Sequence, residues 1–88
     1  ATNAAIDKTA ATRAAMMAHD GLARAIHPVH TMYDGDSVFC MATGEVPCDL
    51  TSLGALAAEV MARAVLDAVR SAESLFGIPA SRDIISEL

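Results

Sequence analysis

From Asp7 or Thr9, either of which can cap a helix, the chain runs without proline to Ile26. Ala11, Ala15, Ala18, Leu22 and Ile26 recur at steps of three or four, the stripe of an amphipathic helix. Arg13 and Arg24 fall off that stripe. Gly21 lies within it at a cost of about 1 kcal/mol against Ala. In a pattern otherwise unbroken, this predicts close backbone packing rather than a break. Pro28 disfavours helical backbone at His27, so the helix is expected to end near Ile26 or His27. Ser37 to Thr43 is a short apolar run between Gly35 and Gly44, the pattern of a buried strand. After a connection with Pro47, Thr51 or Ser52 is expected to cap a second helix reaching about Phe76. Its stripe is Leu56, Val60, Ala64, Ala68 and Ala72, flanked by Leu53, Met61 and Val65. Gly77 and then Pro79 form a helix stop, and Ser81 to Leu88 reads as a short helical turn.

The order is therefore helix, strand, helix, and a strand entering at Ala1 would precede them. A lone strand has nothing to pair with, and two strands make a marginal sheet. The expected class is α/β (α+β): residues 1–88 read as a fragment or subunit, a layer docked on a larger sheet.

Composition points the same way. Apolar residues make up 53% of the chain and aromatics only 3%, with nineteen alanines. That is too apolar for disorder and too poor in large side chains to fill a core, since each Ala buries little area. A chain of this length buries only about 60–65% of its unfolded surface. Another chain is expected to complete the apolar surface. The net charge of −5 argues against a nucleic-acid binder and against a polybasic membrane anchor. Two cysteines, Cys40 and Cys48, do not make a disulfide-stapled mini-protein. The opening does not read as a secretory leader, and no apolar run reaches about 20 residues. The opening Ala1-Thr2-Asn3 lacks an initiator Met, so the expectation is a processed or truncated start and a cytoplasmic compartment with reduced thiols.

Asp34-Gly35-Asp36, beside Tyr33, is the segment richest in chemistry. Paired carboxylates at the mouth of a strand suit acid/base work or the anchoring of an amine. They also suit a plain polar turn whose side chains cap backbone amides. His19, His27 and His30 lack the pairing and the Cys neighbours of a zinc site, so no metal is expected. Each histidine is expected to accept Asn or Gln with less than about a tenfold loss of activity. Cys40, within the apolar run, reads as an inert buried thiol, and nothing orients a histidine toward it or toward Cys48.

Two segments in combination are specific. Ala18-His19-Asp20-Gly21-Leu22-Ala23-Arg24-Ala25-Ile26 leads into Pro28-Val29-His30-Thr31-Met32-Tyr33-Asp34-Gly35-Asp36-Ser37-Val38-Phe39. Together they closely resemble the small β-subunit of the self-processing L-aminopeptidase/D-esterase family, and its 6-aminohexanoate-oligomer (nylon-oligomer) hydrolase branch looks nearest. The likeness runs from Ala1-Thr2-Asn3-Ala4 to Gly77-Ile78-Pro79 and Arg82-Asp83.

The resemblance implies a precursor that cuts itself before a Thr or Ser. That residue becomes the N-terminal nucleophile of an amide hydrolase, and its own α-amine serves as base. It implies an αββα four-layer sandwich shared with a larger α-subunit, a tetramer of αβ units, and no cofactor. The nucleophile belongs about half a dozen residues before Ala1. The catalytic carboxylates map onto Asp34 and Asp36, with Tyr33 a weaker candidate for touching substrate. A Lys, an Asn and a Tyr of the cluster belong to the large subunit. The β-peptide-cleaving branch lacks the first Asp, which favours the nylon-oligomer branch. A non-catalytic assembly subunit, or a self-cleaving acyltransferase of the ornithine acetyltransferase type, are the alternative functions.

Overall fold

The computed structural model describes residues 1–86. The chain runs β1 (Thr2–Ala4), α1 (Lys8–Ala25), β2 (Ala42–Val46), α2 (Leu50–Ser71) and α3 (Ser81–Ser86), a mixture of helix and strand. β1 and β2 pair in parallel, with Thr2 opposite Ala42 and Ala4 opposite Val46. Parallel neighbours need a long crossover, and α1 supplies it. Asp7 caps α1 through its carboxylate, which accepts from the Ala10 amide at 2.8 Å. α1 stops before Pro28 as expected, with Ile26 as its C-cap.

Three boundaries differ from the sequence reading. Asp49, not Thr51 or Ser52, caps α2, taking the Ser52 amide and hydroxyl at 3.0 Å each. α2 ends at Ser71 rather than near Phe76. Its last carbonyls have partners in the tail: Arg82 donates to Ser71 O at 2.8 Å and to Arg70 O at 3.3 Å, and Ser81 donates to Val69 O at 2.8 Å. Leu75 and Ile78 then close a tight turn over Phe76 (φ 54°) and Gly77 (φ 78°). Two successive positive φ values make this a primed turn, not a helix cap. The short helical turn expected in the tail is α3, and Glu87 and Leu88 lie outside the described residues.

The third difference is the strand. The expected run Ser37–Thr43 overlaps β2 only at Ala42 and Thr43. Met41 O accepts the Thr2 amide at 2.9 Å, and, among the described residues, 37–40 have no ladder partner. Their side chains nonetheless alternate. Val38, Cys40 and Ala42 are half-buried, while Phe39 (91% exposed) and Met41 (73%) are open to solvent. An apolar run facing both ways is the pattern of a strand covered on both sides.

The helix stripes are also displaced. The closest face of α1 is Ala14, Ala18 and Gly21, and that of α2 is Gly54 and Ala58. Leu56 (59% exposed) and Val60 (63%) belong to the expected α2 stripe but line an open groove instead. Small residues won the helix–helix contact because they let the backbones approach. Met17 lies at Gly54 and Gly21 lies at Ala58–Ala62, so the two helices run in the same direction.

Gly21 fulfils its expectation of close packing. A Cβ there would strike the Ala58 carbonyl oxygen, lie 2.6 Å from Met61 Cβ and 3.0 Å from Ala62 N. Gly21→Ala gains about 1 kcal/mol of helix propensity but forces two helix backbones apart, an overpacking cost of about 1–3 kcal/mol. The expected net result is a loss of stability, read as a lower melting temperature of the assembled protein. A rise would contradict the packing described.

No helix among the described residues is long and apolar enough to cross a membrane.

Candidate active site

The chain between α1 and β2 bends at His30, a non-glycine residue in the left-handed region (φ 55°). His tolerates this region better than most residues. Beyond it, Thr31 and Asp34 lock a turn. The Thr31 amide donates to Asp34 Oδ2 at 2.8 Å, and the Asp34 amide donates to Thr31 O at 3.1 Å. The turn lifts Met32 and Tyr33 into solvent, each 99% exposed. The Ser37 hydroxyl donates to Gly35 O at 3.4 Å.

The two carboxylates therefore differ. Asp34 spends one oxygen on a backbone amide, the role of an aspartate in a polar turn. Asp36 turns back toward the bend: its Oδ2 lies 3.8 Å from His30 Nδ1, with the side chains 36% and 46% exposed. The His30 ring in turn meets the ring of His19 on α1, centroids 5.5 Å apart and tilted by 57°. Sequence spacing did not reveal this trio, because residues 19, 30 and 36 meet through the path of the loop between α1 and β2. His19 and His30 thus have neighbours that the sequence alone did not indicate. His27 is exposed.

Among the described residues, no three His, Cys, Asp or Glu side chains converge as a metal site would require. Cys40 is half-buried rather than fully buried, Cys48 is exposed, and both are free thiols. A groove of about 300 Å³ lies between the helices and the segment at Val38–Cys40. Its walls are mostly apolar, including Ala14, Leu53, Leu56 and Val60, with Thr2 and the free thiol Cys40 among them. The paired carboxylates and His30 lie on the loop, outside this lining.

Residues 1–82 match peptidase family S58. An uncharacterised aminopeptidase of Mycobacterium bovis is 46% identical over 99 residues, covering 96% of this chain and 29% of the relative. Its counterpart in Mycobacterium leprae is also 46% identical, over 94 residues, covering 90% of this chain and 26% of the relative. A 6-aminohexanoate-oligomer endohydrolase of Kocuria sp. is 33% identical over 82 residues, covering 78% of this chain and 23% of the relative. No solved structure matches. The chain spans less than a third of the length of these relatives. The resemblance seen in the sequence, including that to the nylon-oligomer hydrolases, stands: this chain belongs to peptidase family S58.

Proposed function

We propose that this chain is the small subunit of an amide hydrolase that cuts itself from a longer precursor. A Thr or Ser hydroxyl upstream of Ala1 attacks the amide carbonyl, with its freed α-amine as base. The amine leaves, an acyl-enzyme forms, and water then releases the acid. Asp36 holds the α-ammonium or the attacking water by charge. Asp34 shapes the turn that presents Asp36 and adds negative potential beside it. Tyr33 contacts substrate or the larger subunit. The chain completes an αββα sandwich with that subunit, in a tetramer of αβ units. The substrate class is a peptide or oligoamide, following the names of the aminopeptidase and oligomer-hydrolase relatives.

The observation that carries this reading is the register of the parallel pair. Thr2 lies opposite Ala42 and its amide donates to Met41 O at 2.9 Å. If chain preceding Ala1 continues that ladder, a residue about six positions earlier comes level with Gly35 and Asp36. It would sit one strand spacing away, about 4.8 Å. Across that backbone spacing the Asp36 side chain is long enough to bring its carboxylate to an α-ammonium, directly or through one water. A Cβ built on Gly35 meets nothing within 4 Å, so the flank of this loop is open to an approaching chain. The Asp34 turn alone would suit a non-catalytic assembly subunit equally well; Asp36, which caps no backbone group among the described residues, is what favours catalysis.

The test is N-terminal sequencing of the small chain from the full-length protein. A Thr or Ser start a few residues before Ala1 is expected. Its replacement by Ala should leave one uncut, inactive chain. Because the α-amine serves as base, turnover should survive exhaustive chelation. A mature protein that stays uncut, or turnover lost to chelator and restored by zinc, would overturn the mechanism.

A further inference from the structure

We infer that His30 is a positioning residue for Asp36, held in turn by His19. The inference rests on the catalytic reading of Asp36 and adds to it. Three observations converge. Asp36 sits at the exposed end of a loop, where a side chain with free rotamers would point its charge in several directions. Its polar neighbour is His30 Nδ1 at 3.8 Å. That is too long for a hydrogen bond but within ion-pair reach. Polar contacts at catalytic sites are often long before substrate and partner chain close them. His30 is itself fixed from two sides: its backbone takes the left-handed conformation (φ 55°), and its ring lies against His19. His19 stands on α1 one residue from Ala18, which is 6% exposed in the helix–helix contact. Rigidity thus passes from the packed helix pair to His19, to His30, and to the carboxylate on the loop. An unusual backbone angle kept beside a functional group is a recognised form of pre-organisation.

The same contacts could belong to a merely structural loop clasp. The experiment must therefore separate side chain from backbone, and position from stability. It uses the full-length protein, with L-alanine p-nitroanilide and a linear 6-aminohexanoate oligomer as probes. His30→Gly keeps the left-handed backbone accessible and removes the ring. His30→Asn also tolerates that backbone and keeps an N–H donor near the place of Nδ1. The expected result is a fall in kcat of about tenfold or more for His30→Gly, KM nearly unchanged, and recovery to within about threefold in His30→Asn. Combined with Asp36→Asn, His30→Gly should add no further loss, because it acts through the carboxylate.

Losses that multiply, or a His30→Gly enzyme with wild-type kcat, would overturn the inference while leaving the role of Asp36 intact. An Asp36→Asn enzyme with wild-type kcat would overturn both. Should His30→Gly fail to assemble, His19→Leu and His30→Asn supply the reading. His19→Leu keeps bulk against His30 but removes a polar ring. It should lower kcat less than the loss of His30 would, and its loss should likewise vanish in the Asp36→Asn background; a loss that persists there would count against the relay.

Discussion

Replacing Asp36 with Asn is expected to lower amide turnover and self-cleavage by on the order of 10² or more, the scale of a positioned acid/base or charge-holding group. Asn matches Asp in shape and can still accept a hydrogen bond, so the change removes charge and little else. Asp36 lies on an exposed loop, and among the described residues its polar partner is His30. Its stability cost should therefore stay near that of an ordinary surface substitution, about 0.5 kcal/mol. Asp34 provides the contrast. Its Oδ2 accepts the Thr31 amide at 2.8 Å, so Asp34→Ala should loosen the turn as well as remove charge. Asp34→Asn should keep the turn and lose less activity than Asp36→Asn. Measuring kcat, processed fraction and melting temperature on the same preparations decides the matter. Wild-type turnover in Asp36→Asn, or a stability loss large enough to explain the lost turnover, would remove Asp36 from the mechanism.

Periodicity and caps made the helices legible, because Asp7, Pro28 and the alanine stripe act through local backbone physics. Gly21 was legible for a related reason: a glycine in a good helix carries a cost that only close packing repays. The orientation of the helices was not legible. The stripe was read through its largest side chains, Leu56 and Val60, whereas α1 and α2 meet through Gly21, Gly54, Ala14, Ala18 and Ala58. Composition cannot say which of two apolar faces goes to which neighbour. The strand was placed by its apolar run, whereas a ladder follows pairing, and among the described residues the pairing runs from Thr2 opposite Ala42 to Ala4 opposite Val46. At the site, Asp34 and Asp36 were adjacent in sequence and easily seen. Their division of labour was hidden, since it depends on which oxygen finds the Thr31 amide. The His19–His30–Asp36 trio was invisible because it forms through the path of the loop between α1 and β2.

Expressed without a partner, the 88-residue chain is expected to form no cooperatively melting monomer. A folded monomer of this mass should expose about 4,900 Å² and have a radius of gyration of about 12 Å. This chain exposes 6685 Å² with a radius of gyration of 15.8 Å. The excess of about 1,800 Å² is of the size each partner buries in an obligate interface. Its character fits as well. The buried hydrophobic residues are all alanines, and no large side chain among the described residues is fully buried. Phe39 and Met41 ahead of β2, and Leu56 and Val60 along the groove, stand exposed instead. Each would contribute about 1.5–3 kcal/mol on full burial, a large share of the stability of any domain. The isolated chain should therefore bind hydrophobic dyes, elute as aggregate, and lose helix over a broad range of temperature. Co-expression with the rest of the precursor should abolish all three. A monomer that melts sharply with an unfolding enthalpy of about 60 kcal/mol, as expected for an independent domain of this length, would show that the exposed faces need no second chain.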